Sequence, residues 1–152
     1  PIDGYGASKL NGEVYGSNAV TIRTSFIGHE YKSSNGLLEW FLSQKDSCTG
    51  YNNAIFSGFP SIIFAKIIID HVISNNSITG LYHVSSQPIS KFALLKIIAE
   101  VYKKKIKIEK NDSFVINRSL DSSKFKSLTE FSALDWEASI KLMHKYKYIN
   151  NK

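Results

Sequence analysis

Tyr5-Gly6-Ala7-Ser8-Lys9-Leu10-Asn11-Gly12-Glu13 is the stretch on which the reading of this chain turns. On a helix, Tyr5 and Lys9 stand one turn apart and share a face. A free tyrosine titrates near ~10, too high to exchange protons readily at neutral pH. An ammonium beside it favours the phenolate and lowers that value. The pair therefore suits a phenol that gives a proton to a carbonyl oxygen and takes one back in the reverse direction. A tyrosine and a lysine four apart occur in many helices with no chemical role. The longer string, Tyr-Gly-x-Ser-Lys-x-x-Gly-Glu, is far more specific.

Working outward, the chain opens on this helix with no earlier element for it to pack on, so a cut ahead of Pro1 is expected. Residues 19–24 read as a strand, β-branched and bounded by Ser17-Asn18 and Gly28. Leu37 to Leu42 reads as a helix, and residues 54–56 as a short strand ended by Gly58-Phe59-Pro60. Ser61 is the expected N-cap of the next helix, which is apolar nearly all round and so expected to be buried on more than one side. Residues 80–85 read as a strand. Ser90 caps a helix over Lys91 to Tyr102, with Phe92, Leu95, Ile98, Ala99 and Tyr102 on one face. A short strand at 106–108 and helices near 122–128 and 136–146 complete an α/β chain.

At 152 residues and 43% hydrophobic content, the chain can bury one real core and is not disordered. Its net charge of +6 is compatible with an anionic small molecule. The densest basic run, Lys103, Lys104, Lys105, Lys107 and Lys110, lacks an aromatic or Gly-rich partner motif and reads as a solvated helix end, not a nucleic-acid site. Cys48 is the only cysteine, so no intrachain disulfide forms. Three Asn-x-Ser triplets read as chance matches. The apolar stretch Ile62 to Ile73 is too short to span a bilayer, so a soluble, cytoplasmic protein without membrane contact is expected. His29, His71, His83 and His144 have no metal-ligand spacing, and no Gly-x-Ser-x-Gly elbow occurs. Metal and hydrolase chemistry are unsupported.

The Tyr5–Glu13 string resembles the active-site helix of extended short-chain dehydrogenases/reductases, particularly the dTDP-4-dehydrorhamnose reductase-like branch. The likeness continues in order. Val20 to Ser25, followed by Gly28, resembles the strand whose end approaches the nicotinamide. Residues 54–58 with Ala65-Lys66 look like the substrate-domain strand and helix. Gly80 to Ser86 with Pro88-Ile-Ser-Lys91 is similar to the unit that rejoins the nucleotide-binding sheet, and Arg118 to Ser122 resembles a late loop near the sugar nucleotide.

The resemblance implies the C-terminal part of a Rossmann-like fold with the small substrate-binding domain. Residues 1–30 would end the Rossmann-like domain, and 31–152 would be mainly substrate-binding, with 80–102 returning to the Rossmann sheet. It implies NADP or NAD as cofactor, with Tyr5 as general acid, Lys9 on the nicotinamide ribose, and Tyr5, Lys9 and Ser25 as cofactor contacts. Arg118 becomes a candidate for the substrate diphosphate, because a guanidinium offers phosphate a planar fork of donors; an ordinary surface arginine is the equal alternative. Arg23 reads as a structural ion-pair partner, and Trp40 as core more than pocket. No Gly-x-x-Gly-x-x-Gly turn follows a first strand, and the family's upstream Ser or Thr would precede Pro1. The implied activity of a full-length protein is NAD(P)-dependent reduction of a nucleotide-linked 4-keto-6-deoxy sugar, with this chain alone inactive. The alternatives are a nucleotide-sugar epimerase or dehydratase, or a non-catalytic binding module. Ile22, Ile67, Ile68, Leu81 and Val84 are expected to face a missing sheet, favouring homo-oligomers or association through that face.

Overall fold

The computed structural model describes residues 3–30, 33–75 and 77–147, in which short strands pair across long sequence separations. Strand β1 (Val20–Arg23) runs parallel to a strand sixty residues later, Gly80–His83, with Ile22 opposite Tyr82. Its β-branched residues suit a pleated, half-buried surface. Between them come β2 (Phe26–Ile27), β3 (Ser47–Tyr51), β4 (Ala54–Phe56) and β5 (Phe59–Pro60), which makes the Gly80–His83 strand β6. After it follow β7 (Ile89–Ser90), β8 (Lys107–Asn111) and β9 (Ile116–Asn117). β2 pairs β5 and β3 pairs β8, both parallel. β4 is a central strand, antiparallel to β7 on one side and parallel to β9 on the other.

The helices are α1 (Gly4–Asn11), α2 (Leu37–Ser43), α3 (Ser61–Ile67), α4 (Lys91–Val101), α5 (Ser123–Thr129) and α6 (Trp136–Tyr146). Their caps follow from sequence. The Ser90 hydroxyl accepts from Ala93 N at 3.1 Å, and Asp135 accepts from Ala138 N at 2.7 Å, each satisfying an otherwise unpaired helix-start donor. α2, α4 and α6 pack one core around Leu38, Phe41, Leu94, Ile98 and Ile140. A second cluster gathers Phe59, Ile63, Tyr82, Val84, Phe125 and Phe131 beneath α3 and α5. No described helix is long and apolar enough to cross a membrane.

Four expectations need correction. Ser61 is the first helical residue of α3; the cap position is Pro60, whose φ of −55° already suits a helix entry, and no side chain caps it. The apolar helix is not buried all round: Ile63 and Ile67 face the core, whereas Ile69 and Ile73 are exposed in the π-helical continuation Ile68–Ile73, whose wider turn rotates the apolar face outward. The lysine run is not wholly solvated. Lys104 Nζ donates to the carbonyls of Leu42 and Gln44 at 2.9 and 2.6 Å, satisfying the C-terminal end of α2. Finally, Ile67 and Val84 are 4% and 0% exposed within the chain's own second core, so they do not await a partner.

Candidate active site

Asp3 starts α1 by accepting from Gly6 N at 2.7 Å, and the Ser8 hydroxyl donates to the Tyr5 carbonyl at 2.8 Å. The result is one well-formed exposed helix that buries none of its residues. Tyr5 is 73% exposed. Lys9 Nζ lies over its ring, 5.4 Å from the centroid, so the two side chains do share the face that their spacing requires.

The chain returns from α1 through Glu13, which anchors it to β1. Arg23 Nε and Nη2 donate to the two Glu13 carboxylate oxygens at 2.5 and 2.9 Å, and the Tyr15 hydroxyl donates to the same group at 2.6 Å. The Arg23 bond first, and the Tyr15 bond second, hold the Glu13 carboxyl below its ordinary range. Arg23 is thus the structural ion-pair partner that its place in the strand indicated.

β1 ends at Arg23, and Thr24 and Ser25 follow it. Thr24 Oγ1 is buried with no hydrogen-bond partner among the described residues. Phe59 N donates to the Ser25 carbonyl at 2.9 Å. Gly58 makes this approach possible, because a Cβ there would lie 2.2 Å from the same carbonyl oxygen. Ser25 lines a cavity of about 300 Å³ with Phe26, Leu37, Phe56, Lys91 and Arg118.

Arg118 reaches this cavity because its loop is pinned from below by buried serines. Its own N–H donates to the Ile55 carbonyl at 3.1 Å, continuing the β9 pairing. Leu120 N donates to Ser57 Oγ at 2.9 Å, and Ser85 Oγ donates to the Leu120 carbonyl at 2.7 Å. Each buried hydroxyl is satisfied by the loop that it positions. Arg118 makes no ion pair with a described residue.

Ser25 and Arg118 therefore share one cavity, whereas Tyr5 and Lys9 stand on α1 and do not line it. Trp40 departs from the core reading: it is 37% exposed and lines a second cavity, also about 300 Å³, with Asn35, Leu37, Thr49, Tyr51 and Lys91. The sequence reading missed Lys91. A signal was present, since a cation in the first turn opposes the helix dipole. Among the described residues, no acidic side chain lines either cavity and no cluster could hold a metal ion.

No protein-family profile and no curated protein matches the sequence. Solved structures do match. Over 93% of this chain, the fold superposes with TM-score 0.73 on dTDP-4-dehydrorhamnose reductase from Bacillus anthracis in complex with NADP, at 16% identity and 52% of that chain. A hypothetical dTDP-4-dehydrorhamnose reductase from Sulfolobus tokodaii matches 90% of this chain and 53% of its own, with 25% identity and TM-score 0.68. UDP-N-acetylglucosamine 4-epimerase from Methanobrevibacter ruminantium, in complex with UDP-N-acetylmuramic acid, matches 94% and 49% with 17% identity and TM-score 0.66. The chain spans about half the length of these structures. Its fold matches part of the Rossmann-like fold of these solved structures.

Proposed function

We propose that this chain forms the proton-transfer and substrate side of an NAD(P)-dependent reductase of nucleotide-linked 4-keto-6-deoxy sugars. The observation that carries the reading is the cavity at the end of β1, where Ser25 meets Arg118, which has no ion-pair partner among the described residues. A cation facing apolar and aromatic walls suits a ligand that joins an anion to a sugar ring. Tyr5 gives the proton to the substrate carbonyl oxygen, and Lys9, one turn away, stabilises the phenolate left behind. The reduced cofactor, NADPH or NADH, would supply the hydride when bound. The groups that fit it here are Tyr5 and Lys9, which lie open on α1, and Thr24 and Ser25, with one buried hydroxyl still without a partner. Residues 1–30 belong to the cofactor side in this reading, residues 31–152 mainly to the substrate side, and 80–102 return to the sheet beside β1.

The test is product analysis of the full-length protein with dTDP-4-keto-6-deoxy sugar and NADPH or NADH. Consumption of reduced cofactor with formation of the reduced sugar is expected, and Tyr5→Phe should slow it by about 10²- to 10⁴-fold. Turnover without net cofactor consumption would instead support an epimerase or dehydratase, a reading favoured by the match to a 4-epimerase fold. The chain of 152 residues by itself should bind nucleotide sugar weakly and turn nothing over. Turnover by the isolated chain would overturn the division of labour between the two sides.

A further inference from the structure

Tyr5, Lys9 and Glu13 are spaced four apart, so a helix one turn longer would carry all three along one stripe. α1 stops short of that. Its last residue is Asn11, and the Glu13 N–H closes the end by donating to the Leu10 carbonyl at 3.1 Å. Glu13 therefore sits just past the C-terminal end, where the helix dipole disfavours an anion. Its side chain is nevertheless only 8% exposed. A carboxylate set against the dipole and largely out of water has to be held there by its partners.

Those partners come from β1 and from the segment leading into it. Arg23 supplies two N–H donors and Tyr15 a hydroxyl. At the next residue, Thr21 Oγ1 accepts from Val14 N at 3.1 Å and donates to the Val14 carbonyl at 2.9 Å. Thr21 and Arg23 are two apart in the strand and so present their side chains on one face. One face of β1 thus grips two successive residues at the exit of α1. The grip is polar throughout. Because α1 buries none of its residues, apolar packing against the described chain does not fix where it lies. Arg23 also directly precedes Thr24 and Ser25, the two hydroxyl residues given to the cofactor above.

We propose that Glu13 is a positioning residue, whose two-pronged bond to Arg23, with Thr21 beside it, sets the lie of α1 against β1 and so places Tyr5 and Lys9 for proton transfer. The role rests on the reductase reading given above and adds Glu13, Arg23 and Thr21 to it. None of the three touches substrate or cofactor; they act through α1. Two bonds from a planar guanidinium fix an angle, whereas one bond leaves a pivot. A displacement of the proton donor by about 1 Å is enough to cost about 10²-fold in rate.

The test is a double-mutant cycle on the full-length protein, read as reduction of a dTDP-4-keto-6-deoxy sugar by NADPH. Glu13→Gln keeps the side-chain shape and turns one acceptor of the fork into a donor. It should lower kcat by about 10- to 100-fold and leave KM for the sugar nucleotide nearly unchanged. Arg23→Lys, which keeps the charge but not the fork, should reproduce part of that loss. In a Tyr5→Phe background Glu13→Gln should have almost no further effect, because nothing is left for it to place. In the 152-residue chain, amide exchange at residues 8–12 should quicken in Glu13→Gln while the α4 amides keep their rates. If Glu13→Gln fails to fold, Thr21→Val, which removes the Val14 bonds and no charge, decides by the same cycle. Unchanged kcat in a folded variant, or a loss that adds in full to that of Tyr5→Phe, would overturn the positioning role while the reductase reading stands. No turnover by the wild type would overturn the reading and the role with it.

Discussion

Lys9 Nζ sits over the face of the Tyr5 ring, 5.4 Å from its centre, on a helix that buries no residue. The proposed chemistry therefore sits apart from the groups that hold the fold together. Neither side chain supports the core, so replacing either should move folding stability by no more than about 0.5 kcal/mol. Activity should respond very differently.

Under the proposed function, Tyr5→Phe and Lys9→Met should each lower kcat by about 10²- to 10⁴-fold, the usual contribution of a positioned acid–base group. Nucleotide-sugar affinity should change little, because neither residue lines either cavity. Steady-state kinetics with a parallel thermal melt checks both halves. A variant that melts early and keeps its kcat would contradict this division.

Gly58 is the position where one methyl group should do most damage. An added Cβ would meet the Ser25 carbonyl oxygen at 2.2 Å and Phe56 Cζ at 2.4 Å. The first is backbone that cannot move without opening the β2–β5 pairing. Gly58→Ala should cost about 1–3 kcal/mol, the range for overpacking a tight site. Denaturant unfolding measures it. Nucleotide binding should fall too, since Ser25 and Phe56 line the cavity.

The Glu13 carboxyl is held below its ordinary range, first by the Arg23 hydrogen bond and then by that of Tyr15. A depressed folded value contributes stability that is present above the unfolded value and is lost as pH falls through the folded one. Arg23→Met should therefore raise the Glu13 titration toward the ordinary carboxylate range and remove that acid-side dependence. Tyr15→Phe should raise it less. Side-chain carboxyl NMR across an acid titration reads both shifts directly.

Cys48 is 8% exposed within β3, and burial pushes its thiol above the usual range despite the opposing charge of Lys104. It should resist alkylation at neutral pH in the folded chain and react fully once urea unfolds it. Rapid labelling of the native protein would mean that β3 and β8 part easily.

Much of this structure was legible in the sequence. The Tyr5–Lys9 face, the Ser90 cap, β1, β6 and α6 follow from i,i+4 spacing, capping chemistry and β-branched runs, all of which act within a few residues. The sequence 47–51, Ser-Cys-Thr-Gly-Tyr, carries no such pattern. It becomes a strand only because residues 107–111 pair with it from sixty positions away. Strands as short as β7 and β9 have no period to detect. The cavity is the same kind of object. Arg118 could be singled out as a residue, but only the pairing of β4 with both β7 and β9 brings Lys91 to the same cavity. Local chemistry determined which helix carries the tyrosine and the lysine. Long-range strand pairing, invisible to any short window, decided which cations share a pocket, and Trp40 left the expected core for the wall of the neighbouring cavity.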